Sequence, residues 1–169
     1  DKAEFDARHG AQVVAHGDLA SYRGRVFIGI DAGSTTMKGA IIGEDGELLR
    51  TWYGPNKGDV LGTARILMDD FYDALPQGCT VGHVTCTGYG EGLLIEALHA
   101  DSGEIETVAH LRGANEVLPG VEFILDVGGQ DTKVIQLRGG RVTKFQMNDK
   151  CAAGTGRFLE VMADRLGVS

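Results

Sequence analysis

Two stretches of this sequence share the pattern D-x-G-x-x-x-x-K, and they decide the fold. Residues 31–38 have the sequence DAGSTTMK, and residues 126–133 have the sequence DVGGQDTK. Each stretch begins at the end of a short apolar run, 26–30 in the first copy and 123–127 in the second. The lysine of each stretch begins a second apolar run. A strand-turn-strand unit that occurs twice predicts two related halves. Their loops could face one another as a pincer.

The residue types of both loops are those of a phosphate-binding loop. Glycine lets backbone N–H groups approach anionic oxygens closely, and the hydroxyl groups of Ser34, Thr35 and Thr36 add hydrogen-bond donors. An Asp at the end of a strand can hold Mg²⁺ through water molecules. A D-x-G sequence is also common in ordinary turns, where the Asp only accepts hydrogen bonds from nearby backbone N–H groups. The second copy with matching strands favours the phosphate-binding interpretation.

Strand and helix patterns alternate along the rest of the chain, which predicts the α/β class. Asp59 is placed to cap a helix that ends before Pro76 and Gly78. Apart from the two units above, strands are predicted at 38–42, 48–53, 81–87, 133–137 and 141–146, and helices at 60–75, 93–98, 105–118 and 152–166. Residues 1–24 have no clear period and are predicted to form a linker or a peripheral arm.

Composition excludes several classes of protein. The chain has 169 residues, of which 26 are glycine and only 3 are proline, so the glycines are expected in turns rather than in collagen. The net charge of −8 argues against a nucleic acid or an anionic membrane as the main partner. Three cysteines without a C-x-x-C pair argue against a disulfide framework. We therefore expect a cytoplasmic protein.

Four motifs together resemble one known family. These are residues 30–36 (IDAGSTT), 87–90 (TGYG), 126–133 and 148–159 (NDKCAAGTGRFL). They are similar to the activators of 2-hydroxyacyl-CoA dehydratases and the ATPase subunits of benzoyl-CoA reductase, a branch of the acetate kinase, sugar kinase, Hsp70 and actin superfamily. The resemblance implies a ribonuclease H-like (actin-like ATPase) lobe with a mixed sheet and flanking helices at 25–120. It implies the start of a second, similar lobe at 121–169.

The resemblance also implies an activity and a set of site residues. Members of this branch hydrolyse ATP and pass a low-potential electron to an acyl-CoA dehydratase or reductase component. Asp31 and Asp126 would hold Mg²⁺ through water, and Gln130 and Asp131 would orient the attacking water. The residues expected to bind ATP or ADP are Gly33, Ser34, Thr35, Thr36, Lys38, Gly128, Gly129 and Lys133.

Members of the branch are homodimers that share one [4Fe-4S] cluster, which usually takes four thiolates. Cys151 matches one family cysteine and would ligate iron. Ala109 stands where the family has its second cysteine, so the presence of a cluster is left open. His110 is either a substitute ligand or a structural residue. Cys86 is predicted to be a small core residue. Cys79 follows a turn, and its surroundings in the sequence indicate no role for it.

Two other functions remain open at this point. A sugar or small-acid kinase of the same superfamily would use one carboxylate as a base toward a substrate hydroxyl. The second possibility is that the chain is a non-catalytic nucleotide-binding module of a longer protein. Complete members of the superfamily have further motifs after the second phosphate loop. We therefore expect a fragment that binds nucleotide weakly on its own and has little or no activity.

Overall fold

The computed structural model describes residues 2–9, 14–148 and 154–168. Its largest element is a five-stranded sheet with the strand order β3-β2-β1-β4-β5. Strands β1, β2 and β3 form an antiparallel meander, whereas β4 and β5 run parallel to β1. The predicted mixed sheet is therefore confirmed. The strands span Gly24–Ala32 (β1), Thr36–Gly43 (β2), Leu48–Pro55 (β3), Cys79–Thr87 (β4) and Ser102–Gly103 (β5).

Two helices cover one face of this sheet and bury its core. They are α2 (Val60–Ala74) and α3 (Glu91–Leu98), and they pack on alternate residues of β1, including Val26, Ile28 and Ile30. Helix α2 approaches β2 closely at Gly39, where a Cβ atom would lie 2.8 Å from Cδ1 of Leu67. The predicted cap is confirmed, because the Asp59 carboxylate accepts a hydrogen bond from the backbone N–H of Gly62 at 2.8 Å.

A second sheet follows helix α4 (Glu106–Val117). It consists of β6 (Phe123–Val127), β7 (Thr132–Arg138) and β8 (Arg141–Asn148), which form another antiparallel meander. Helix α5 (Gly156–Leu166) comes after it, and helix α1 (Lys2–His9) lies near the start of the chain. The predicted helix 152–166 begins at Gly156 among the described residues, and positions 152 and 153 lie outside them.

The two D-x-G-x-x-x-x-K units have the same register. Asp31 is paired with Lys38 across β1 and β2, and Asp126 is paired with Lys133 across β6 and β7. Paired residues of antiparallel strands project from the same face. Each unit therefore places a carboxylate beside an ammonium group at the loop end of a hairpin. The division of the chain into lobes at 25–120 and 121–169 stays a prediction.

None of the helices in the described part of the chain is long and apolar enough to cross a membrane. The longest, α2, has 15 residues.

Candidate functional site

The two loops line a single cavity of about 470 Å³. The first loop joins β1 to β2, and the second joins β6 to β7. The site residues predicted from the sequence that line this cavity are Asp31, Gly33, Ser34, Thr35, Thr36, Lys38, Asp126, Gly128, Gly129, Gln130 and Asp131. The structure therefore brings the two halves of the predicted pincer together.

The loops touch one another at Gly129 and Thr35. A Cβ atom on Gly129 would lie 2.6 Å from Oγ1 of Thr35, which is closer than such atoms approach in practice. A side chain at position 129 would push the loops apart. Glycine at this position is thus required by the close approach of the two loops.

Asn56 fixes the shape of the first loop. Its side chain is buried, and its Nδ2 donates a hydrogen bond to the carbonyl oxygen of Gly33 at 2.8 Å. Its backbone N–H donates to the carbonyl oxygen of Thr35 at 3.0 Å. No local pattern marks this residue, because it follows β3 in a stretch without a recognisable period.

Helix α5 holds the second loop in place. The backbone N–H groups of Gly156 and Arg157 donate to the carbonyl oxygens of Gly128 and Gly129 at 2.8 and 3.2 Å. These N–H groups belong to the first turn of the helix, which has no partners for them within the helix itself. The start of α5, which belongs to the motif at 148–159, is therefore hydrogen-bonded directly to the second loop.

Asp31 offers an oxygen atom that has no partner. Its Oδ2 lies 3.2 Å from Nζ of Lys38, whereas its Oδ1 is buried and makes no hydrogen bond among the described residues. Gly88, with a φ of 87°, leaves room for this carboxylate, since a Cβ at that position would lie 2.5 Å from Oδ1. A buried carboxylate oxygen without a donor is suited to hold a cation or its water.

Lys133 lies behind the cavity wall and is only 4% exposed. Its Nζ is 2.8 Å from Oε1 of Glu106, 3.0 Å from Oδ2 of Asp131 and 3.6 Å from Oδ2 of Asp126. Burial alone would lower the pKa of Lys133, but hydrogen bonds to Glu106 and Asp131 outweigh it and raise the pKa. The ammonium group is therefore charged and engaged by carboxylates. This favours a positioning role over the predicted contact with phosphate.

Helix α4 contributes two further groups to the cavity wall, Glu106 and His110. Sequence reasoning missed Glu106, which resembles any acidic residue at the start of a helix. His110 was considered only as a cluster ligand or as a structural residue. Its Nδ1 lies 3.1 Å from Oδ2 of Asp126 without forming a hydrogen bond.

None of the described cysteines lines the cavity. Burial, assisted by the charge of Glu91, raises the pKa of the Cys86 thiol to about 11, so the prediction of a core residue is confirmed. Cys79 is half-buried, and its Sγ donates to the carbonyl oxygen of Tyr22. Cys151 lies outside the described residues. Ala109 faces a separate groove between α4 and the first sheet.

The duplicated hairpin and the mixed sheet with its flanking helices define an α/β protein of the actin-like ATPase fold, in which the two glycine-containing loops share one carboxylate-lined cavity. The chain belongs to the BadF/BadG/BcrA/BcrD ATPase family, whose family model matches residues 28–169.

Relatives with known names support this assignment. The (R)-2-hydroxyglutaryl-CoA dehydratase activating ATPase of Acidaminococcus fermentans is 40% identical over 141 residues, which is 83% of this chain and 54% of that protein. The solved structure of component A of that dehydratase has a TM-score of 0.74 and 38% identity, and the match covers 85% of this chain and 55% of that one.

A second solved structure is the activator of the 2-hydroxyisocaproyl-CoA dehydratase from Clostridium difficile with bound ADPNP. It has a TM-score of 0.72 and 36% identity, and the match covers 85% of this chain and 53% of that one. The present chain thus spans about half the length of the relatives it matches.

Proposed function

We propose that this chain is the phosphate-binding part of an ATP-hydrolysing activator, which drives low-potential electron transfer to a 2-hydroxyacyl-CoA dehydratase or a related CoA-substrate enzyme. The observation that carries the proposal is the single cavity shared by the two loops of the repeat. The names of the relatives and the ADPNP in one of the solved structures support it.

The charges around the cavity support nucleotide binding together with a divalent cation. The described residues there include four carboxylates, on Asp31, Glu106, Asp126 and Asp131, but only two ammonium groups, on Lys38 and Lys133. A triphosphate would be repelled by this excess of negative charge. Mg²⁺ neutralises phosphate charge when it is bound, and the orphaned Oδ1 of Asp31 fits such an ion or its water. Asp31 and Asp126 would hold it.

Gln130 and Asp131 differ in what they could do for the attacking water. Asp131 is held by the Lys133 ammonium at 3.0 Å. Gln130 is exposed on the second loop and lines the cavity. Positioning of the water contributes much of the rate in phosphoryl transfer. We assign the positioning of water to the Gln130 side chain, with Asp131 shaping the loop through Lys133.

The described residues do not fit an iron–sulfur cluster. Ala109 carries no thiol, and the Cys86 thiol has a pKa of about 11 and is buried away from the cavity. A cluster would then depend on Cys151, which supplies only two of four thiolates in a dimer. The homodimer rests on the resemblance to the activators, and the cytoplasmic location on the composition of the sequence.

The test compares nucleotide binding and phosphate release in the wild-type protein and in Asp31→Asn. We expect the wild-type chain to bind Mg-ATP weakly and to release little phosphate on its own, and Asp31→Asn to weaken Mg-ATP binding by about 10-fold, because one of the two carboxylates that would hold Mg²⁺ is replaced by an amide. Asp69→Asn is the matched control, since Asp69 is an exposed residue of α2. Equal affinities for Mg-ATP in wild type and Asp31→Asn, or no binding of Mg-ATP to the wild-type chain, would overturn the proposal. Faster ATP consumption with a sugar present would favour a kinase instead.

A further inference from the structure

Three potential metal ligands meet at one side of the cavity, where α4 passes the end of β6. They are a carboxylate oxygen of Glu106, a ring nitrogen of His110 and a carboxylate oxygen of Asp126, all within 4.8 Å of one another. We propose that these residues form a site for a transition-metal ion such as Mn²⁺ or Zn²⁺, which binds in the absence of nucleotide. This site shares Asp126 with the Mg²⁺ site proposed for the nucleotide complex, but it adds Glu106 and His110 and does not use Asp31.

The secondary structure brings the three residues together. Glu106 and His110 are four residues apart on α4, so their side chains project from the same face of that helix. Asp126 is the penultimate residue of β6, and alternation along the strand turns it toward α4. All three side chains are half-buried, which limits competition from bulk water while leaving a path to the cavity.

The position of the His110 ring points to an ion. Its Nδ1 is fully buried and has no hydrogen-bond partner among the described residues, although Oδ2 of Asp126 is only 3.1 Å away. Adjacent ligands of one metal ion, each about 2.1 Å from it at an angle near 90°, are separated by about 3 Å. At the observed separation of 3.1 Å, one metal ion could therefore be coordinated by both His110 Nδ1 and Asp126 Oδ2. Buried polar atoms without partners are uncommon and call for such an explanation.

The charge of the surroundings also favours a cation. Lys133 is the ammonium group that faces Glu106, Asp126 and Asp131, so this group of four side chains carries a net charge of −2. Of these three carboxylates, Asp126 is the farthest from the Lys133 ammonium group, with its Oδ2 3.6 Å from Nζ of Lys133. A divalent ion would neutralise the excess. The imidazole favours Zn²⁺ over Ca²⁺, which prefers oxygen alone, and the two carboxylates also suit Mn²⁺.

The experiment titrates Mn²⁺ into chelator-treated, nucleotide-free protein and records its electron paramagnetic resonance. We expect one Mn²⁺ per chain, with a nitrogen coupling in the pulsed spectrum that reports a bound imidazole. Because binding is measured without nucleotide, the result is independent of the proposed ATPase function. His110→Gln should remove the nitrogen coupling and weaken Mn²⁺ binding by at least about 10-fold. Glu106→Gln should weaken binding but keep the coupling.

His83→Gln is the matched control, because His83 is an exposed histidine of β4 whose Nε2 lies 2.9 Å from Oγ of Ser102, away from the cavity. It should leave the affinity and the coupling unchanged. The fluorescence of the single Trp52 checks that every variant is folded. Wild-type protein that binds no Mn²⁺ at about 1 mM, or binds it without nitrogen coupling, would overturn the proposal. So would a coupling that survives in His110→Gln or is lost in His83→Gln.

Discussion

Asp31 reaches the cavity because of its place in the alternation of β1. Val26, Ile28 and Ile30 face the core under α2, so Asp31 projects from the opposite face. Lys38 follows the same rule on β2, where the neighbouring Met37 is buried. The alternation of buried residues along β1 and β2 thus places both members of this charged pair on the same face of the sheet.

Cys86 gives a prediction about pH at the scale of one residue. Burial raises the pKa of its thiol from 9.0 to about 11 in the folded protein. Between these values the unfolded chain ionises while the folded chain does not, so stability is full below pH 9 and falls as the pH rises. We expect the free energy of unfolding to drop by about 1.4 kcal/mol between pH 8 and pH 10 from this thiol alone.

The measurement is urea denaturation at both pH values, with Cys86→Ala as the reference. The variant loses packing at every pH, but it lacks the ionisation of the thiol. The difference between wild type and variant should therefore shrink as the pH rises. A difference that stays constant from pH 8 to pH 10 would contradict the pKa assigned to Cys86.

Among the elements, the turn between β4 and α3 packs closely against the carboxyl-terminal end of β1, where Asp31 lies. Gly88 has a φ of 87°, and a Cβ there would lie 2.5 Å from Oδ1 of Asp31 and 2.8 Å from the carbonyl oxygen of Ala32. We expect Gly88→Ala to lower the free energy of unfolding by about 1 to 3 kcal/mol, as measured by urea denaturation followed by Trp52 fluorescence. It should also weaken Mg-ATP binding, because Asp31 is displaced.

Gly92→Ala is the control for this prediction. Gly92 lies inside α3, and a Cβ there meets nothing within 4 Å. Because Gly92 is the second residue of α3, and the full effect of glycine applies to the middle of a helix, replacing it by alanine should stabilise the protein by at most about 1 kcal/mol. If both variants changed stability in the same direction and by the same amount, the crowding at Gly88 would not explain the effect.

The features that were predicted correctly are marked by patterns among residues that are close together in the sequence. The two hairpins, the cap at Asp59 and the core position of Cys86 belong to this group. Strand β5 has only two residues, and it exists because β4 is beside it. Glu106 and Asn56 act through residues far away in sequence, so no local pattern marks them. The ion pair between Lys133 and Glu106 of α4 also joins residues far apart in sequence, so no local pattern predicts that Lys133 is buried.

In the molecule as a whole, the cavity between the two loops has a lining that suits phosphate groups better than a nucleotide base. The cavity wall consists mainly of glycines, hydroxyl groups, carboxylates and Lys38. Tyr89 and Val127 are the only large apolar side chains among the described lining residues. Recognition of a nucleotide base usually requires an apolar, shaped pocket with a few polar groups. The chain also spans only about half the length of its relatives.

We therefore expect this 169-residue chain to bind phosphate chains with little regard for the base. The affinities for Mg-ATP, Mg-GTP and Mg-tripolyphosphate should lie within about 10-fold of one another, a difference of about 1.4 kcal/mol. Removal of Mg²⁺ should weaken all three, because the carboxylates then repel the phosphates. Isothermal titration calorimetry on the purified chain measures each value. A preference for ATP over GTP of more than about 10-fold would show that the described cavity recognises the base as well.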